Sequence, residues 1–253
     1  AGAQRARVPI RAAALAMVMV FCLPLGSATA WWLSVDRPAS WHEADWSASG
    51  VLPDPAASPD AAIYVMAART GGRKGAVSVH SWLVVKPAGA WRYDRYDKVG
   101  WGRPVRVNAY AADARWYSNE PFVVRAVHGA EAAALVPPVE AAIAAYPHDG
   151  RGAYRIWPGP NSNSFVAHVL RAVPALDAVL PPHAVGRDYL GDGPRMHVDA
   201  DGRDVHLSLY GLAGLSAGLR SGLEVHLLGQ ALGIDVTRPA LKLPGIGRIG
   251  MAR

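Results

Sequence analysis

The pattern of apolar and polar positions divides the chain into stretches of different character. Residues 12–25, AAALAMVMVFCLPL, are apolar without interruption and predict a hydrophobic helix. Residues 34–60 are polar and turn-rich, with Pro38, Pro53, Pro55 and Pro59. They predict an extended lead-in held onto a domain by Trp41 and Trp46. Residues 61–68 predict a buried strand ended by Thr70-Gly71-Gly72. Residues 76–85 give the clearest strand: Val77, Val79, Ser81, Leu83 and Val85 line one face, and Ser78, His80, Trp82 and Val84 the other. Aromatic and charged residues alternate over 92–99, as in a neighbouring, partly exposed strand. Residues 105–117 predict one or two more.

Further along, residues 131–146 have helical composition, with Pro137-Pro138 expected to break or restart the helix. Residues 154–157 predict a short strand. A helix follows over 162–173, where Ser162, Val166, Val169 and Val173 share one face and Pro174 stops it. An antiparallel β region is expected beyond Pro181-Pro182, with strands at 196–198, 204–209 and 223–228. Gly214, Gly218 and Gly222 read as turn and tight-packing glycines there. The tail TRPALKLPGIGRIG is apolar and basic, suited to lie along a membrane or across the domain surface. The expected class is α+β: an antiparallel sheet with a packed helix, preceded by the hydrophobic helix. The expected organisation is a signal or anchor segment over 1–33, the lead-in over 34–60 and a single globular domain over 61–253.

Composition narrows this. With 51% hydrophobic residues in 253, the chain can build a core and is not a disordered protein. One cysteine excludes a disulfide scaffold and any cysteine-based metal site. The formal charge of +6 is partly a targeting signal, because Arg5, Arg7 and Arg11 precede the apolar run and residues 1–30 contain no acid. The remaining residues carry 23 basic and 20 acidic side chains. No dense basic stripe suits nucleic acid, and Gly72-Arg73-Lys74-Gly75 reads as an ordinary basic turn. Arginines, an apolar run and Ala28-Thr29-Ala30 form the signature of a secretory signal. Extended to Leu33, the run is also about long enough to cross a ~30 Å hydrocarbon core, with Trp31 and Trp32 in the aromatic belt. Either way the arginines stay cytoplasmic and the bulk of the chain is exported.

The candidate chemistry pairs a strand histidine, His80, with a hydroxyl at a helix start, Ser162. A helix N-terminus offers free N–H groups and a positive dipole end to a developing oxyanion. A strand histidine can act as base when a third group orients it. Asp94 and Asp97, on the next predicted strand, are the candidates for that group. The competing reading pairs both carboxylates with Arg92, Arg95 or Lys98 on a solvated face. Trp82, Trp101, Asn161 and Asn163 are the expected substrate contacts. Ser162 or Ser164 could instead simply cap the helix. His197, His206 and His226 could converge on zinc, although separate strand histidines are the expected reading and no metal site is assigned. No Walker loop or dinucleotide fingerprint is present, so no cofactor is expected.

Asn161, Asn163, Ser164 and Phe165 around Ser162, with Val79-His80-Ser81-Trp82, resemble the circularly permuted papain-like hydrolases, the NlpC/P60 and lecithin:retinol acyltransferase-like group. That resemblance covers about residues 61–173. It implies a permuted papain-like fold and a hydrolase-like cleft for an amide or acyl bond, with Ser162 in place of the cysteine and an orienting residue on the strand after that of His80, where Asp97 is favoured over Asp94. The strings WWLSVDRPASW, VHSWLVVKPAG, GWGRPVR and WPGPNSNSFVAHVLRA resemble a bacterial domain-of-unknown-function family, number 3750. With the N-terminal segment, this implies a bacterial inner-membrane protein facing the periplasm, or one released there by cleavage near Ala30. The expected partners are the membrane, through that segment, and an envelope substrate or protein. The alternative function is a non-catalytic envelope protein that binds or scaffolds through the same cleft.

Overall fold

The computed structural model describes residues 10–251, so Arg5 and Arg7 of the targeting pattern lie outside the described residues. The apolar run forms α1 (Ile10–Leu33), a helix that continues through Pro24. It is long and apolar enough to cross a membrane over Leu15–Leu33. Its C-terminal half lies against the rest of the chain. Phe21 and Leu25 are half-buried, and Ala28 and Trp32 are buried. These four recur at the i, i+4, i+7, i+11 spacing of one helix face. The Trp32 indole N–H donates to the Gly72 carbonyl at 3.0 Å. Gly75 is glycine by necessity: a Cβ there would meet the Trp32 ring at 2.1 Å.

Five strands form the first sheet: β1 (Ala62–Arg69), β2 (Val79–Lys86), β3 (Asp94–Lys98), β4 (Val105–Val107) and β5 (Phe122–His128). Their order is β4-β3-β2-β1-β5, and every pair is antiparallel. The alternation along β2 divides the two faces. Val79, Leu83 and Val85 pack with Ile63 and Val65 of β1 beneath two helices, α2 (Gly129–Ala144) and α3 (Ser162–Ala172). Trp82 and Val84 pack with Tyr64 and Met66 on the other face, under Trp46, Leu52 and Trp116 of the loops. Trp46 thus seats the lead-in against Tyr110, Trp116 and Tyr117. Trp41 stays exposed.

Several expectations need correction. Pro137-Pro138 does not interrupt α2. Both prolines are exposed, as are Ala133 and Ala134, whose carbonyls they leave without a helical donor. Burial of Ala132, Val136, Val139 and Ala142 on the sheet outweighs the lost bonds. The strand expected from residue 76 begins at Val79, because Gly72–Ala76 coils into a 3-10 turn. No strand forms over 154–157, where the chain runs irregularly into cis bonds before Pro158 and Pro160. The tail does not lie loose on a surface; it supplies two strands.

Those strands belong to a seven-stranded meander: β6 (Pro194–Val198), β7 (Asp204–Leu209), β8 (Ala213–Gly218), β9 (Gly222–Leu227), β10 (Gln230–Asp235), β11 (Ala240–Leu243) and β12 (Gly247–Gly250). Its sidedness is inverted. Asp204, Ser208, Ser216, Glu224, His226, Asp235 and Lys242 are buried, whereas Met196, Leu207, Leu215, Val225 and Leu227 on the opposite face are exposed. The register holds this pattern across strands, with Met196 opposite Leu207, Leu207 opposite Leu215 and Leu215 opposite Val225. The inner face is held by ions. Glu224 accepts from Arg187 at 2.7 Å and from Lys242. Arg220 joins Asp199, Asp201 and Asp204. Paired carboxylates tolerate such burial, whereas a lone one would not.

Candidate active site

His80 projects from β2 onto the face opposite α3. Its Nε2 lies 2.8 Å from Asp97 Oδ1. Asp97 and Arg95 sit two residues apart on β3 and so share that face. Arg95 Nε donates to Asp97 Oδ2 at 2.6 Å and Nη2 donates to Oδ1 at 3.0 Å. The guanidinium stacks on Trp82 at 4.0 Å and gives its remaining bond to the Ala111 carbonyl at 2.8 Å. All three charged or ionisable side chains are buried. Burial alone would raise the Asp97 carboxyl, but Arg95 and His80 overcome it and hold it at about 2. Burial pushes the His80 ring below the ordinary imidazole value, with Asp97 opposing and Arg95 adding to the fall. An ionised Asp97 and a neutral His80 place the ring proton on Nε2, which donates to the carboxylate. Nδ1 is left with its lone pair and makes no hydrogen bond among the described residues. Trp116 stacks flat on the imidazole at 3.7 Å.

The start of α3 is built by its asparagines. Asn161 is the N-cap, and its side chain accepts from the N–H groups of Asn163 and Ser164. Ser164 closes a capping box by accepting from the Asn161 N–H at 2.8 Å. Asn163 ties the helix to β2: its amide donates to the carbonyls of Val79 and Val185, and its oxygen accepts from Ser81 Oγ at 2.8 Å. Gly186 approaches Asn161 so closely, with φ +92°, that a Cβ would meet the amide at 2.3 Å. The capping role therefore falls to Asn161 and Ser164. Ser162, the first helical residue, has a hydroxyl with no hydrogen-bond partner among the described residues. Its own N–H likewise bonds no acceptor among them.

His80 and Ser162 line one cleft of about 780 Å³ at the N-terminal end of β2. No hydrogen bond joins them. Trp101, Asn161 and Asn163 line the same cleft. Trp82 does not: it is fully buried, and its indole donates to the Ala112 carbonyl at 2.8 Å. Asp94 stays near the surface, bonded by Asn108 and 4.0 Å from Arg92. Trp116 was not anticipated at the site, and the Arg95–Asp97 pair of the competing reading forms in the buried site rather than on a solvated face. Trp116 comes from a loop with no periodic signal. Elsewhere, Ser216 bridges His206 and His226 on the inner face of the meander, at 2.8 and 2.9 Å.

The sequence model for the family described as "Protein of unknown function (DUF3750)" matches residues 60–189, just over half of the chain, and the chain belongs to that family. The match contains the five-stranded sheet, α2, α3 and both His80 and Ser162, and leaves out α1 and the meander, which supply Phe21, Leu25, Leu228 and Gln230 to the cleft. No curated protein and no solved structure matches the chain.

Proposed function

We propose that this family member is a serine-dependent hydrolase of an acyl or amide bond, with Ser162 as nucleophile, His80 as base and Asp97 as the orienting group. The observation that carries this reading is an Asp97-bound, neutral His80 and an unpartnered Ser162 hydroxyl lining the same cleft. In the reaction, Ser162 Oγ attacks the carbonyl carbon as its proton passes to His80 Nδ1. The oxyanion meets the free N–H at the start of α3. Collapse expels the amine or alcohol, which takes the proton from His80. Water, deprotonated by the same nitrogen, then cleaves the acyl-serine and restores the hydroxyl. A serine hydroxyl cannot rest as its anion beside imidazolium as a thiol can, so proton removal must accompany attack. The separation of Ser162 from His80 by more than a hydrogen bond requires bound substrate to draw them together.

One observation favours a second reading, a binding cleft without turnover: His80 is only 4% exposed and covered by Trp116. Labelling with a fluorophosphonate distinguishes the two. Turnover chemistry predicts a covalent adduct on Ser162, lost in Ser162→Ala and reduced at least 100-fold in His80→Ala. Absence of an adduct on the folded wild-type chain would leave the binding cleft.

A further inference from the structure

The cleft has a wall that belongs to α1. Phe21 and Leu25 line it together with His80 and Ser162. The packing that places them there is specific. Trp32 is buried against Gly75, and Arg37 stacks on Trp32. Near Leu25 and Ala28, the β11–β12 turn approaches at Gly245, whose Cβ would sit 3.1 Å from both side chains.

The span is then short of free helix. From Phe21 onward α1 lies beside the rest of the chain, so of the described residues only Ile10–Val20 project from it. Eleven residues rise about 16 Å at 1.5 Å each, roughly half of a ~30 Å hydrocarbon core. If α1 crosses a bilayer, the docked half must also lie in it, and the cleft mouth goes with it. The exposed residues around that mouth fit such a position. Trp101, Ile156, Trp157 and Leu228 line the cleft and are each between 45% and 57% exposed. Tryptophans of this kind sit at the membrane–water boundary. The hydroxyls of α1 agree: Ser27 and Thr29 donate to carbonyls of their own helix, at Leu23 and Leu25, and need no water. On the side of the mouth where α1 ends, Lys74 lines the cleft and is exposed, beside exposed Arg73.

We infer that the cleft opens sideways into the membrane interface along α1 and takes one acyl chain of an anionic bilayer lipid as its ligand. The chain enters past Phe21 and Leu25, with the headgroup phosphate at Lys74. The volume suits a single extended chain, being within the range of small-molecule sites. This deepens the proposed function by naming its substrate class, and rests on it only for turnover, not for binding.

The test is photocrosslinking of the full chain in nanodiscs of phosphatidylcholine and phosphatidylglycerol. Benzoylphenylalanine is placed in turn at Ile156 and Leu228 on the mouth, at Leu15 on the free part of α1, and at Trp91, which is 73% exposed on the β2–β3 turn. Lipid adducts at Leu15, Ile156 and Leu228, at least tenfold above Trp91, are expected. The Ile156 adduct should favour phosphatidylglycerol, and Lys74→Glu should remove that preference. Adducts at Leu15 alone would overturn the inference, because the helix would be inserted while the cleft faced water. A mature chain beginning after Ala30 would overturn it as well. The readout is binding rather than turnover. Lipid adducts without Ser162-dependent labelling would sink the hydrolase and keep the lipid. Labelling without mouth adducts would do the reverse.

Discussion

Asp97→Asn is the sharpest test of the site. The substitution preserves shape and removes one charge. What remains is Arg95, fully buried, with its guanidinium on the Trp82 ring and one carbonyl acceptor at Ala111. Removing one partner of a buried ion pair costs about 3–5 kcal/mol, chiefly because the survivor is uncompensated. At this chain length each kcal/mol lowers Tm by about 2–4 °C, so a fall of about 6–20 °C is expected. A separate route gives a similar order. The carboxyl at about 2, against an ordinary value near 3.9, is displaced by almost two pH units, or about 2–3 kcal/mol. The folded pKa is depressed, so this stability is fully present above pH ~4 and is lost as pH falls toward 2. Thermal melts by circular dichroism of the full chain in detergent, at pH 7 and pH 3, measure both. The double variant Arg95→Met with Asp97→Asn leaves no buried charge at this position. It should recover most of the loss, with a coupling of at least about 1.5 kcal/mol. Additive losses in the double variant, or a single variant within about 0.5 kcal/mol of wild type, would refute the account of Asp97 as the counter-charge of Arg95.

The other predictions follow from the same contacts. Ser162→Cys, in a Cys22→Ser background, should react with iodoacetamide at neutral pH, and His80→Ala should slow that reaction; equal rates would separate the two residues functionally. Asn163→Ala removes the bonds to Val79, Val185 and Ser81 and should cost about 1–3 kcal/mol by leaving buried groups unpaired, read as a lower urea midpoint at constant slope. Gly75→Ala should expel Trp32 from its seat, seen as a red-shifted tryptophan emission. Burial lowers the His183 imidazole to about 3, so the unfolded chain binds the extra proton below pH ~6.5. Stability should therefore fall by up to about 1.4 kcal/mol per pH unit between pH 6.5 and 3, and His183→Phe should flatten that slope by about the same amount.

Strand β2 was readable because it alternates in the sequence, separating Val79 and Leu83 from His80 and Trp82, whereas β5, FVVRAVH, has no such alternation and was not expected. The start of α3 was readable because Asn, Ser and a following apolar stripe carry the chemistry of a cap. Pro137-Pro138 misled because local propensity is weak against burial of Val136 and Val139. The tail misled for a different reason. Strands β10 to β12 bury Lys242 and Asp235 and expose Leu241 and Ile249, so the rule that apolar residues face inward points the wrong way. Alternation separates Asp94 from Asp97 on the two faces of β3, but the pairing of His80 with Asp97 needs the β2–β3 register. Trp116 was not readable, since a loop brings it across 36 positions without leaving a period to read.

The inverted meander changes what truncation can do. Deleting α1 would remove the one segment among the described residues that is long and apolar enough to cross a membrane, which is the usual route to a water-soluble fragment. Here the deletion would leave Met196, Leu207, Leu215, Val225 and Leu227 in a continuous exposed row. Such a row in water is an aggregation surface. Replacing its leucines with lysine or glutamate, while sparing the ion pairs behind them, is the change that would make the fragment soluble. Detergent would hold the shortened chain in solution by coating a sheet rather than a helix.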